Sequence, residues 1–585
     1  MARLIRNTRI AFFFTALAAL SLRSGVACKA TTDHANFDVG GGNAASSNAS
    51  AGAGGSIGIG IDGGQGGAGQ SGGIPQTCGE ALKNQSYIGC EYWPTVTPNS
   101  SLYVGFPFAI AAANPTGSPA TVTVTRAGQT VAQTVVQPGQ LQTMKLPWVS
   151  ELLQTDATGS GATFASAIVK GGGYKVVSSV PITLYQFSPL DFELANAPAD
   201  CPSPIGTTGC FSYTNDASIL LPTSALRNEY YAMAYPTLHL GSDQGFGQIT
   251  WTDIPGFVTV TATQDGTQVT VSSTAHVRGG SGVAQLAPGQ KGVYQLDAGD
   301  VLLLETDNPP GQQTPVGGKQ CLTDPNSGSI ECPTAPEYDL TGSHIVTTKP
   351  VSVIGGHDCT FVPYDVYACD HMEESIFPVE TLGKDLIVTA PQTVTAAIAN
   401  STLSVPDSMF VRVLSAVDGN KITFDPPVAP NTTLNAGQWV EIGPTKQDFR
   451  VQADNKILVG QYMVGENFSG AAVGGGDPSE SIAIPTEQYR LEYSFLAPSS
   501  YTYNLVNVVA PVGATVRIDG AAIPSGTFSP IGSSGMAVAR HQIAGGTHQM
   551  DGDKNFGIVV YGYGSYTSYM YPGGLNLETI TITPK

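Results

Sequence analysis

The stretch GGHDCTFVPYDVYACDHMEE, residues 355–374, concentrates groups able to do chemistry. Cys359 and Cys369 sit ten apart, flanked by His357, Asp358, Asp370, His371, Glu373 and Glu374. Three chemistries are open to such a set. The cysteines can close a disulfide loop. His357, Asp358, Asp370, His371 and Glu374 can instead ligate a metal, calcium by their carboxylate content. Zinc is disfavoured, because its structural sites want cysteines two to four residues apart. Asp358 or Glu374 can also act in hydrolysis. The reading adopted is a stapled loop without metal or catalysis, in which Asp370, His371 and Glu374 orient backbone.

The other cysteines support the staple. Besides Cys28, eight fall into neighbouring couples: Cys78 and Cys90, Cys201 and Cys210, Cys321 and Cys332, Cys359 and Cys369. Local pairing has the lowest loop-closure cost, so these four couples are the expected disulfides. Enzyme motifs are missing. No nucleotide-binding glycine loop, H-E-x-x-H or paired-carboxylate pattern occurs, and the eight histidines follow no triad order. GQSGG, residues 69–73, matches a nucleophile elbow only inside low-complexity sequence. The chain reads as a non-enzyme with no cofactor.

The elements that position these groups are strands. Only 12% of the 585 residues are charged, about half the usual share, and 70 are glycine. Three passages echo one another: ASILLPTSALRNEYYAMAYP, ESIFPVETLGKDLIVTAP and ESIAIPTEQYRLEYSFLAP. Each carries Ser-Ile, a proline, a polar step, an apolar strand and a second proline. A fainter copy, YWPTVTPNSSLYVGFP, precedes them. Alternating Val/Thr/Ile segments follow each copy, with Asp-Gly turns at 265–266, 418–419 and 519–520 that predict hairpins. Each unit then closes on a further apolar strand pair. The expected fold is all-β: four tandem β-sandwich-like modules at 78–212, 213–370 (with an insertion at 305–340), 371–478 and 479–585. The stapled loops 201–210 and 359–369 then fall between modules.

The N-terminus predicts export. MARLIRNTR is basic, residues 10–22 are apolar but too short to span a bilayer, and SGVACKA follows. Residues 1–27 read as a signal peptide, and Cys28 as a lipid-anchor cysteine of the lipobox type. Residues 28–77 are a Gly/Ser/Ala-rich tether expected to be disordered. The net charge of −19 includes four leader arginines. So acidic a chain repels phosphate backbones and anionic headgroups, which excludes nucleic acid and leaves the lipid as the only membrane contact.

Beyond spacing, three stretches carry a family resemblance: GGHDCTFVPYDVYACDHMEESIFPVETLGK, YRLEYSFLAPSSYTYNLVNVVAPVGATVRIDG and YGYGSYTSYMYPGGLNL. They resemble the N-terminal region of the mucus IgG Fc-binding protein family, over roughly residues 95–580. The resemblance implies a secreted, disulfide-bonded binding region, which in animals lies beside von Willebrand type D modules. No such CxxC-rich module is present, and GDPS at 476–479 lacks the histidine of the GDPH motif. Bacterial chains of this kind look like surface lipoproteins.

The function expected is a cell-surface binding or adhesion protein recognising a glycan or glycoprotein through sandwich loops. The alternative is a structural coat protein that self-assembles. Tyr561, Tyr563, Tyr566, Tyr569 and Tyr571 are the binding candidates, since tyrosine offers stiff amphipathic area.

Overall fold

The computed structural model describes residues 74–581 apart from 156–161, 200, 202–208, 246–247, 312, 314, 326–327, 400, 402–403 and 469–474. The expected signal peptide, Cys28 and the tether to residue 73 lie outside the described residues. Within them the chain is almost entirely β, arranged as separate antiparallel sheets. Among the described residues helices are short, and none is long and apolar enough to cross a membrane.

Four hairpins organise the molecule. Strand β1 (Lys175–Phe187) pairs with β2 (Ala217–Leu220). β3 (Val351–Thr360) pairs with β4 (Asp370–Ser375). β5 (Ile457–Met463) pairs with β6 (Glu480–Ile482), and β7 (Gly546–Gly564) with β8 (Thr567–Pro572). The repeated Ser-Ile motifs therefore lie in or beside second strands, hydrogen-bonded back to the strand before them. These second strands lie side by side: β2 and β6 each neighbour both β4 and β8, so the four close a circuit. Strands β2, β4, β6 and β8 are buried along their whole length, because the circuit covers one face and the parent sheet the other.

Around this circuit the sheets stack as sandwiches. Between residues 385 and 482, one sheet holds Asp385–Val388, Phe449–Ala453, Asn420–Asp425 and Thr432–Leu434. The other holds Trp439–Thr445, Met409–Ser415, β5 and β6. Leu386, Val388, Val411, Val413, Ile422, Phe449, Val451 and Val459 fill the space between.

Two expected hairpins prove to be something else. The turns at 265–266 and 418–419 carry the chain from one sheet to the other: Gly256–Ala262 and Thr267–Ser272 do not pair, nor do Met409–Ser415 and Asn420–Asp425. The aspartates tie each turn to a neighbouring loop. Asp265 accepts the Ala298 N–H (3.0 Å) and Asp418 that of Ala436 (3.0 Å). At 519–520 the turn does close a hairpin, with both Asp519 (φ 50°) and Gly520 (φ 79°) left-handed. The expected closing strand pairs also differ. β1 and β7 are single long strands, each pairing in turn with partners along its length, whereas the segments at 344–360 and 449–463 divide between two sheets.

The circuit is clasped by segments near the two ends of the described body. Tyr87 N–H donates to Leu575 O (3.1 Å) and Leu577 N–H to Gln85 O (2.7 Å). Tyr87, Leu575 and Leu577 are all buried, and a side chain at Gly574 would strike the Tyr87 ring.

All four expected disulfides are present: Cys78–Cys90, Cys201–Cys210, Cys321–Cys332 and Cys359–Cys369. The last closes the loop joining β3 to β4. Cys321–Cys332 ties the strands Leu322–Thr323 and Ser329–Cys332, which extend the sheet of Leu238–Asp243 within the expected insertion.

Candidate functional site

The junction of the four second strands is polar. Asp216, the residue before β2, is fully buried and its carboxylate is a hub. Oδ1 accepts from Ala217 N (2.9 Å), Ser479 Oγ (2.7 Å) and Met570 N (3.2 Å). Oδ2 accepts from Glu373 N (3.1 Å) and Glu480 N (3.2 Å). One side chain thus collects donors at all four hairpins. Burial pushes the Asp216 carboxyl up to about 8, against the pull of these hydrogen bonds. Asp370 repeats the device. It takes the N–H groups of Asn215 (2.7 Å), His371 (2.8 Å) and Ser568 (3.0 Å) and the Thr567 hydroxyl (3.0 Å).

The residues of the opening stretch all reach this interior. Asp358 accepts the N–H (2.9 Å) and hydroxyl (2.7 Å) of Ser100, and burial raises its carboxyl to about 6. His357 is buried with Nδ1 facing the Cys359 N–H (3.1 Å), and burial lowers its imidazole to about 3. His371 stacks on Phe257 at 6.0 Å. Burial pulls its pKa down, but Glu373, Asp216 and Asp358 outweigh that and hold it above its ordinary value. Glu373 accepts from Gln186 Nε2 (3.0 Å), Ser218 Oγ (3.3 Å) and Thr97. Glu374 Oε1 accepts the N–H groups of Ile219 (3.2 Å) and Ser375 (2.8 Å). Among the described residues no three acidic, imidazole or thiol groups converge to hold a metal ion by themselves. All of these side chains are fully buried.

Four of the five candidate tyrosines are equally inaccessible, which corrects the platform reading for them. Tyr561, Tyr563, Tyr569 and Tyr571 are buried, and their hydroxyls donate to Asn507 Oδ1 (2.8 Å), Gln392 O (2.6 Å), Asn504 Oδ1 (2.7 Å) and Leu496 O. Their alternation is a strand signal, and here both faces of the strand are covered.

Tyr566 is different. It sits half-buried in the tight turn from β7 to β8, at φ 54°. Tyr213, in the long loop from β1 to β2, is also half-buried and also at φ 54°. Their rings meet edge to face, centroids 6.4 Å apart. Left-handed backbone is costly for a bulky side chain, and two instances in contact mark a place the fold holds deliberately. Phe211 and Phe192 continue the chain of rings. The other two connections join in: Asn467 Nδ2 donates to Tyr367 O (2.7 Å), and Gly465 N–H to Val362 O (2.9 Å). Gly476 N–H also donates to Gly564 O (2.9 Å), so the described parts of all four hairpin connections meet at one end of the circuit, with half-buried Tyr213, Tyr566, Tyr367, Phe211 and Phe468. Tyr213 escaped the sequence reading because nothing in FSYTND marks it; its backbone angle does.

No curated protein matches this chain. A family profile described as IgGFc binding protein matches residues 216–562, from the hub aspartate into β7. That covers more than half of the sequence and agrees with the resemblance seen in the quoted stretches, so the chain belongs to the IgGFc-binding protein family.

Proposed function

We propose that this is an exported surface protein, lipid-anchored at Cys28, that binds a glycan or glycoprotein through the loop rim. One observation carries the reading: the four hairpin connections, far apart in sequence, converge at one end and hold Tyr213 and Tyr566 there in left-handed backbone. Tyrosine rings partly open to solvent suit the apolar faces of sugars and the side chains of a protein partner. The four disulfides fit an oxidising location. The family's name points to a protein partner, and the family is one of binding proteins rather than enzymes. The expected modules serve as a rigid mount for these loops.

Tyr213→Gly and Tyr566→Gly test this cleanly. Glycine accepts the positive φ without strain, a gain of roughly 1 kcal/mol. It loses a ring contact worth about 0.5–1.5 kcal/mol. Stability should change little while binding on a glycan and glycoprotein array falls at least about tenfold, the scale of a lost aromatic anchor. Unchanged binding by both variants refutes the rim as the site. Ordered, concentration-dependent oligomers without ligand capture would instead favour the self-assembling coat.

A further inference from the structure

The circuit's centre poses a charge problem. Asp216, Asp358, Asp370, Glu373, Glu374, Asp477 and Glu480 are all buried there. The buried basic groups nearby are His371, Arg412 and His357, whose imidazole burial lowers to about 3. Arg412 is already engaged: Nη1 donates to Ala234 O (2.7 Å), Asp339 Oδ2 (2.9 Å) and Thr341 Oγ1 (3.0 Å), and Nε to Glu441 Oε2 (3.1 Å). Hydrogen bonds satisfy Asp216, Asp370 and Glu373, as described above. They do not satisfy the next two. Glu374 Oε2 and both carboxylate oxygens of Glu480 are buried without a hydrogen-bond partner. Tyr462, in register with Glu480 across β5 and β6, donates its hydroxyl to Ala234 O (3.2 Å), and its nearness to Glu480 tempers the rise in that carboxyl.

These two glutamates occupy the same position of two Glu-Ser-Ile copies, at 374–376 and 480–482, on adjacent strands β4 and β6. Glu374 feels the charge of Glu480, both feel that of Asp216, and burial drives both carboxyls well above their ordinary range. An unpaired buried carboxylate is among the most expensive groups a fold can hold. A duplicated motif that sets two on adjacent strands must either keep them protonated or supply a positive partner.

We propose that Glu374 and Glu480 hold one hard divalent cation of the calcium class at the centre of the circuit. Unpartnered oxygen ligands suit such an ion, and a charge of two neutralises both carboxylates where one shared proton neutralises one. Two carboxylates supply the charge, and backbone carbonyls, hydroxyls or waters complete the shell, as calcium's flexible coordination permits. The ion would lock β4 to β6, and with Asp216 bonded to both strands, it would set the rigidity of the whole junction.

The test uses the full chain. Metal analysis of protein purified without chelator should find about one calcium-class ion per chain. The thermal midpoint should rise by a few degrees between EDTA and excess calcium chloride. The rise should be larger at mildly alkaline than at mildly acidic pH, because protons compete for the same oxygens. Glu374→Gln/Glu480→Gln should abolish the calcium response. Should the double variant not fold, Glu374→Gln alone should weaken the response at least about tenfold in calcium concentration, as expected for loss of one charged ligand. No bound metal and no calcium response in the wild type would overturn the proposal in favour of protonated carboxyls. A calcium response undiminished in the variants would overturn it too, by placing the ion elsewhere.

Discussion

Asp216 shows how much one carboxylate can organise. Its five donors come from its own strand and from the three other hairpins. Replacement by Asn keeps the shape but turns one acceptor into a donor facing backbone N–H groups. Asp216→Asn should therefore cost about 1–3 kcal/mol, read from urea midpoints. The pH dependence has a definite sign. Burial raises Asp358 to about 6 and Asp216 to about 8, so the folded state holds protons that the unfolded chain has released. Stability from these groups is complete below the ordinary carboxylate range and is lost as pH rises through about 6 and then about 8. His357, lowered to about 3, works in the opposite direction below its ordinary value. In EDTA the urea midpoint should fall between neutral and mildly alkaline pH, and Asp216→Asn should flatten that fall. Asp370, His371 and Glu374 were legible in the sequence as backbone-orienting groups. Asp216 was not, since a lone aspartate ahead of ASIL carries no local mark; only its place before a Ser-Ile copy, matched by Glu373 and Ser479, hints at a shared role.

At the scale of elements, β2, β4 and β6 were visible as repeated Ser-Ile-Pro passages and the disulfides as close cysteine couples, whereas β8 carries no Ser-Ile motif and was not. What the strands pair with was not. The same Asp-Gly chemistry serves a hairpin at 519–520 and a crossing between sheets at 265–266 and 418–419. The outcome turns on sheet packing, which local residues do not encode. The disulfide at the rim permits a direct check. Cys201→Ser/Cys210→Ser opens the loop between β1 and β2 that carries Phe211 and Tyr213. For a loop this short the loss should be about 2–3 kcal/mol, measured as a shift in urea midpoint against the wild type. Ligand capture at the rim should weaken with it.

The described body is a closed circuit of four hairpins, and closure was invisible in the sequence because β2 and β8 touch although they lie far apart along the chain. A repeat announces units, not whether the last returns to the first. The return is made by Gln85–Ile88 against the segment 573–577. Deleting residues 573–585 would expose Tyr87 and remove buried Leu575 and Leu577. The truncated protein should unfold at a markedly lower temperature and be cut rapidly by protease at the N-terminal side, since each buried leucine alone is worth about 2–5 kcal/mol.

The clasp lies inside the loop closed by Cys78–Cys90. Tension arriving from residues before 78 therefore crosses at the sulfur bridge to Cys90, in a strand bonded to β1. Residues 85–88 carry none of that load, so a body tugged from its N-terminal side keeps its seam shut until the covalent bypass is reduced.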